Sequence, residues 1–186
     1  MLNRFIRVAA VALLASLPFG LQGQETGTFD RSTEITPFFG LSTPVQDVDA
    51  YGIGPSYGLD IAHPVFGDLD LIAGVYQEVL YGAGDGPGLT RRNASAGLGW
   101  RGLDYVVQPA VDIRVSYNTG HSYKAGAQMD LEAFVGASGS VMLRVPMDRG
   151  RFFGGIRAQT LDIEFDENSL SRKASIAAIF GVSFGL

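Results

Sequence analysis

The sequence predicts an all-β protein, an eight-stranded antiparallel up-and-down transmembrane β-barrel, and three observations carry that prediction. Apolar residues alternate with small or polar ones through most of the 186 residues, which is the period of a β-strand. The last twelve residues, 175–186, keep this alternation to the final position, with Phe180, Phe184 and Leu186 on one face. The chain begins with a short basic and apolar segment typical of export.

The N-terminal segment is predicted to be a cleaved signal peptide, residues 1–23, ahead of a barrel domain at 24–186. Basic residues Arg4 and Arg7 precede an apolar run of about ten residues, which is too short to span a membrane as a helix. Cleavage after Gly23 is the first choice and cleavage after Gly20 the alternative. Removing residues 1–23 takes away two arginines and no acid, which lowers the net charge from −5 to −7.

Composition narrows the class of function. An acidic chain is a poor partner for nucleic acid. Because the exported chain contains no cysteine, no disulfide framework stabilises it, and packing, closure or lipid must do so. We predict no metal site and no cofactor, since neither histidine has the spacing of a metal ligand set.

Alternation defines eight strands in order, and the glycine-rich, proline-containing or polar stretches between them define the connections. The first strand contains Pro37, which an edge or a bulge tolerates. The seventh changes phase near Gln159 and Thr160, where a bulge would point Arg157 inward. The strands are predicted at 31–41, 51–62, 68–81, 92–101, 105–117, 125–145, 151–165 and 175–186.

The sixth segment, residues 124–146, could form one long strand or two strands split at Gly136–Gly139. An even strand number is the rule for single-chain bacterial barrels, which favours one strand. The connections then alternate, with longer loops near residues 44–49, 82–90, 118–123 and 166–171 at one end and tight turns near Pro64, Gly102 and Arg149 at the other. Short periplasmic turns and longer outer loops are typical of outer-membrane barrels.

With this pattern the chain resembles the small eight-stranded outer-membrane barrels, the class that includes the OmpA transmembrane domain, OmpX and OmpW. The resemblance implies a monomer in the outer membrane of a Gram-negative bacterium, in contact with lipid and lipopolysaccharide and recognised by the barrel assembly machinery through its C-terminal strand. A soluble exported barrel of lipocalin type, or a β-sandwich, would also alternate. The glycine, serine and alanine of the second face suit a crowded lumen better than a solvated exterior.

If the apolar faces meet lipid, charged residues of the other face line the lumen, where they should pair because an unpaired buried charge is costly. A rigid salt-bridged plug is the first interpretation. The second is a narrow gated pore in which Arg114 or Arg157 pairs with Glu132. The predicted lumen network comprises Asp60, Asp70, Glu78, Asp112, Arg114, Asp130, Glu132, Arg144 and Arg157.

Basic residues next to the outer loops form a second predicted set, a rim that would contact lipopolysaccharide phosphates. They could equally be ordinary flanking charges, neutralised by nearby acids. These residues are Arg91, Arg92, Lys124, Arg172 and Lys173.

An enzyme that modifies lipid A is a weaker alternative. Deacylases of PagL type carry His-x-Ser on a strand, whereas His121 and Ser122 are adjacent in a predicted loop and His63 is in a predicted periplasmic turn. The sequence therefore favours a structural or surface-interaction role without catalysis.

Overall fold

A computed structural model describes residues 32–45, 51–82, 88–102, 106–124, 127–147, 150–166 and 169–186, with backbone only at 124 and 161–173. The predicted signal peptide lies outside the described residues. Within them, no helix is long and apolar enough to cross a membrane.

The described chain forms eight antiparallel strands that close into one barrel, which confirms the predicted fold. Each strand pairs with its neighbours in sequence, and β1 pairs with β8 to close the sheet. Closure leaves the barrel wall without a free edge. The strands are β1 Glu34–Pro44, β2 Gly54–Phe66, β3 Leu69–Leu80, β4 Gly88–Arg101, β5 Gln108–Lys124, β6 Ala127–Met147, β7 Gly150–Asp166 and β8 Ser169–Gly185.

The two ends of the barrel differ. Glu34 at the start of β1 lies opposite Gly185 at the end of β8, so both ends of the barrel domain lie at one rim, here called the terminal end. The opposite rim, here called the hairpin end, carries the β5–β6 and β7–β8 connections.

Several predicted connections are in fact strand. β2 continues through the predicted turn at 63–67 to Phe66, and the turn is at Gly67, whose positive φ of 53° suits glycine. β4 begins at Gly88 inside the predicted loop, and β5 continues through the predicted loop 118–123 to Lys124. Pairing with β4, for example Arg91 with Gly120, holds this part of β5 extended. β5 begins at Gln108, so the tight turn predicted at Gly102 is wrong.

β6 is one strand of 21 residues, which confirms the choice made from parity. The β5–β6 pairing shifts register between Asn118 and Gly120, and the β7–β8 pairing shifts between Thr160 and Asp162. The second shift is the bulge predicted near Gln159 and Thr160.

β6 continues past its described pairing with β7 at the hairpin end. Its pairing with β7 begins at Ser138, whereas its pairing with β5 continues to Ala127. The paired segments 119–124 of β5 and 127–137 of β6 are here called the outer hairpin; its β5 strand also pairs with β4 as far as Tyr123, whereas the described ladder of its β6 strand is with β5 alone.

The apolar faces of the strands point outward and the small and polar faces point inward. Ile113 is 73% exposed, and Leu71, Val75 and Leu98 are each more than half exposed. In a water-soluble barrel these side chains would fill the lumen. The inner face instead contains arginine, carboxylate, serine and amide side chains.

Candidate functional site

Among the side chains that the structure describes, six arginines and five carboxylates are buried in the lumen. Burying so many charges is tolerable only if they pair. They lie in three layers along the barrel. The layers are four residues apart on β3, at the heights of Asp70, Gly74 and Glu78, and Gly74 pairs with Asp60 of β2. The charged residues are Glu34, Asp60, Asp70, Glu78, Asp112, Arg91, Arg101, Arg114, Arg144, Arg151 and Arg157.

The terminal layer surrounds Glu34. Arg101 donates from Nη1 to Glu34 Oε1 at 2.5 Å, and Arg144 and Arg151 also pair with this carboxylate. Arg101 also pairs with Asp70. Five strands are thereby tied together at the end of the barrel where the chain enters and leaves it.

The middle layer is built on Arg114. Its guanidinium donates to Asp60 at 2.6 and 2.9 Å and to Asp112 at 2.9 and 3.0 Å. Arg157 donates to Asp60 at 2.7 Å and lies 4.5 Å above the ring centre of Phe38. Two arginines and two carboxylates make this layer neutral.

The upper layer pairs Arg91 with Glu78 at 2.8 Å. Gln159 donates to the same Glu78 oxygen at 3.1 Å and accepts from Asn93 at 3.1 Å. Above it, Leu80 and Leu89 form a buried apolar contact against Tyr51.

Apolar side chains fill the space between the layers. Phe38, Tyr76, Phe153 and Ile179 form one buried cluster. A cavity of about 40 Å³ remains between the terminal and middle layers, which holds a few water molecules at most. Among the described residues the lumen is thus filled rather than open.

Seven of the nine predicted lumen residues are inside the barrel, but Asp130 and Glu132 are not. Both are exposed in the outer hairpin, where Asp130 Oδ1 lies 2.8 Å from His121 Nδ1. This hydrogen bond lowers the pKa of Asp130. Alternation assigned both acids to the inner face, but the register shift between Asn118 and Gly120 reverses the phase of β6, so Asp130 pairs with His121 on the outward face. Glu132 is exposed at this shift, so it does not form the predicted pair with Arg114 or Arg157, which are buried in the lumen.

The predicted basic rim is not one cluster. Arg91 is buried in the upper layer, whereas its neighbour Arg92 is exposed on the outer wall, because successive strand residues point to opposite faces. The side chains of Lys124, Arg172 and Lys173 lie outside the described residues.

Sequence analysis missed Glu34, Arg101 and Arg151. Each lies at a strand end next to an outward-facing apolar or aromatic residue, as Arg101 does beside Trp100. All three already fall inside the predicted strands 31–41, 92–101 and 151–165, on the face opposite the apolar one, so the alternation itself assigns them to the inner face.

The histidines do not form a hydrolase site with a serine. His121 is in β5, not in a loop, so Ser122 points to the opposite face of the strand. His63 is in β2, not in a turn, with its Nδ1 2.8 Å from Thr33 Oγ1. In the described part of the chain, no three histidine or acidic side chains are placed to hold a metal ion.

The closed eight-stranded wall, apolar outside and charged inside, defines the class as a small outer-membrane β-barrel fold. The chain is similar to the crystal structure of Neisserial surface protein A, at 14% identity and a TM-score of 0.64, over 83% of this chain and 97% of that one. It also matches the N-terminal barrel domain of Pseudomonas aeruginosa OprF, at 17% identity and a TM-score of 0.49, over 83% and 98%. Ail of Yersinia pestis matches at 13% identity and a TM-score of 0.49, over 82% and 99%. No protein-family description and no curated protein sequence matches the chain.

Proposed function

We propose that this protein is a non-conducting outer-membrane barrel with a structural or surface-interaction role. The observation that carries the proposal is the combination of an exposed apolar wall with a lumen closed by three charge layers. The predicted signal peptide supports export, and the C-terminal strand is of the kind that the barrel assembly machinery recognises.

The outer wall supports the membrane part of the proposal. Apolar patches on soluble monomers cover a few hundred square ångströms, whereas here exposed apolar side chains occur on all eight strands. Tyr57 and Tyr117 near the hairpin end and Trp100 near the terminal end flank this band, as interfacial aromatic girdles do.

The outer hairpin supports the surface part. With the termini on the periplasmic side, the hairpin end faces outward, and Met129 and Leu131 of the outer hairpin are exposed at this end. One structural neighbour, Neisserial surface protein A, is by its own name a surface protein. We infer contact with envelope lipids or external partners at this end.

Heat-modifiable gel mobility tests the membrane proposal. The barrel refolded into lipid vesicles should migrate as a fast band without boiling and as a slower band after boiling. A single unshifted band, from a protein that stays in solution without detergent, would contradict it.

Planar-bilayer recording tests the second candidate, a gated pore. The filled lumen predicts no discrete conductance from the wild-type barrel. Steady single-channel openings without a ligand would replace the structural role by a pore.

A further inference from the structure

Arg92 is an arginine whose side chain lies on the outer surface of the barrel wall. Among the side chains that the structure describes, it is the one arginine on the outer surface, while six others are buried in the lumen. Its Nε donates to Gln77 Oε1 at 3.1 Å. Its two terminal nitrogens have no hydrogen-bond partner among the described residues, so the planar fork of the guanidinium is available to a ligand.

The height of Arg92 on the wall matches a membrane interface. It is eight residues above Trp100 on β4, which is about 26 Å along a strand and, at a tilt of about 40°, about 20 Å in height. The apolar band of an outer-membrane barrel is about 25 Å tall. Arg92 therefore lies where acyl chains meet headgroups at the hairpin end.

Below Arg92 the wall has an apolar groove of about 630 Å³ across β2 to β5. Ala94 and Val75 line it together with Leu59, and Tyr57 and Tyr117 also border it. A small residue in β4 sets this shape, since Ala94 faces outward between Val75 of β3 and Tyr117 of β5.

Polar groups gather at the height of Arg92. The register places Gln77 opposite Arg92 on one side and Thr119 opposite it on the other, and all three border the groove. No acid of β3, β4 or β5 described here faces outward at this level, and the hydrogen-bond partner that the structure gives Arg92 is the neutral amide of Gln77. A cation with free donors above an apolar groove is complementary to an acylated phosphate.

We propose that this groove binds the lipid A part of lipopolysaccharide, with one phosphate on the terminal nitrogens of Arg92 and an acyl chain between Tyr57 and Tyr117. The site rests on the proposed outer-membrane location, because that location brings the outer leaflet to the hairpin end. Of the five basic residues predicted at the rim, the site uses Arg92 alone.

The test is binding of fluorescent lipid A to the full chain folded in detergent micelles, with native mass spectrometry to count bound molecules. Arg92→Gln should weaken binding about tenfold to a hundredfold, which is the worth of a charge-assisted hydrogen-bonded contact. Arg92→Lys should recover only part of it, since lysine keeps the charge without the fork. Ala94→Trp should weaken binding by filling the groove, whereas its matched control Ala158→Trp, exposed on β7, should not.

Two results would overturn the site. Equal affinity of wild type and Arg92→Gln would remove the arginine from it. Equal affinity for dephosphorylated lipid A, or full competition by phosphatidylglycerol vesicles, would show that no lipid A phosphate is recognised. The heat-shifted gel band measures the barrel independently, so a folded barrel without lipid A binding overturns this inference and leaves the proposed function standing.

Discussion

Replacing Arg114 by methionine should cost the barrel more stability than any single exposed substitution. Arg114 is 4% exposed and donates four hydrogen bonds to Asp60 and Asp112. Without Arg114, Asp60 still accepts a hydrogen bond from Arg157, but the remaining hydrogen bond to Asp112 comes from the hydroxyl of Ser140. Breaking a buried pair by removing one partner costs about 3–5 kcal/mol, because the remaining charge is buried without compensation.

The assay is urea unfolding of the barrel in phosphatidylcholine vesicles, followed by the fluorescence of Trp100, the only tryptophan. Trp100 lies on the outer wall at 37% exposure, so its emission reports removal from lipid. Arg92→Met is the matched control. Because Arg92 is exposed, this substitution should lower the free energy of unfolding by less than about 1 kcal/mol.

A second substitution separates charge from packing. Adding Asp112→Asn to Arg114→Met should recover part of the lost stability, because the uncompensated carboxylate is replaced by a neutral amide. A loss below about 1 kcal/mol for Arg114→Met, or no recovery in the double variant, would refute the view that paired charges hold the lumen.

Three further predictions test the wall, the lumen and the outer hairpin. Ile113→Arg, at the middle of the outward face of β5, should destabilise the vesicle-embedded barrel by about 2–4 kcal/mol; in a water-exposed wall the same change would leave the urea midpoint nearly unmoved. Gly74→Ala would bring a methyl group within 3.0 Å of a carboxylate oxygen of the middle layer, and it should lower the free energy of unfolding by about 1–3 kcal/mol in the same urea titration. Gly154→Ala is its control, because a methyl group there meets open space and should leave the stability unchanged. The hydrogen bond to His121 lowers the pKa of Asp130. It therefore stabilises the folded outer hairpin above the ordinary carboxyl pKa, and this stabilisation is lost as the pH falls through the lowered pKa. The protection of outer-hairpin amides against hydrogen exchange, measured relative to the intrinsic rate at each pH, should therefore fall in acid, and Asp130→Asn should abolish that fall; identical protection profiles for both proteins would contradict the assignment.

Alternation was sufficient to predict the barrel because both faces of the wall carry a period-two signal. It could not predict where strands end, since pairing between strands extends them past turn-like residues. Thr119 and His121 resemble loop residues in sequence, yet β4 pairs with them through Arg92 and Thr90. Cross-strand pairing is a long-range property, and local composition does not encode it.

The same limit explains the site residues that sequence analysis misplaced. Arg91 and Arg92 are adjacent, so a strand boundary set one residue too late moved Arg91 from the lumen to the rim. For Asp130, the alternation was carried straight through β6, whereas the register shift between Asn118 and Gly120 reverses the phase of the strand and pairs Asp130 with His121 on the outward face. A bulge that forms between two strands cannot be read from the alternation of one strand alone.

The layered lumen also bears on whether this barrel can open. The layers are four residues apart along β3, about 13 Å, which is far enough for their free energies to add approximately. An ion crossing the lumen must pass all three. If disrupting each layer costs about 3–5 kcal/mol, the open state has a population below about one in a million. A ligand that opened the barrel would have to bind the open form more tightly by at least that factor, which is why the filled lumen favours a structural role over a gated pore.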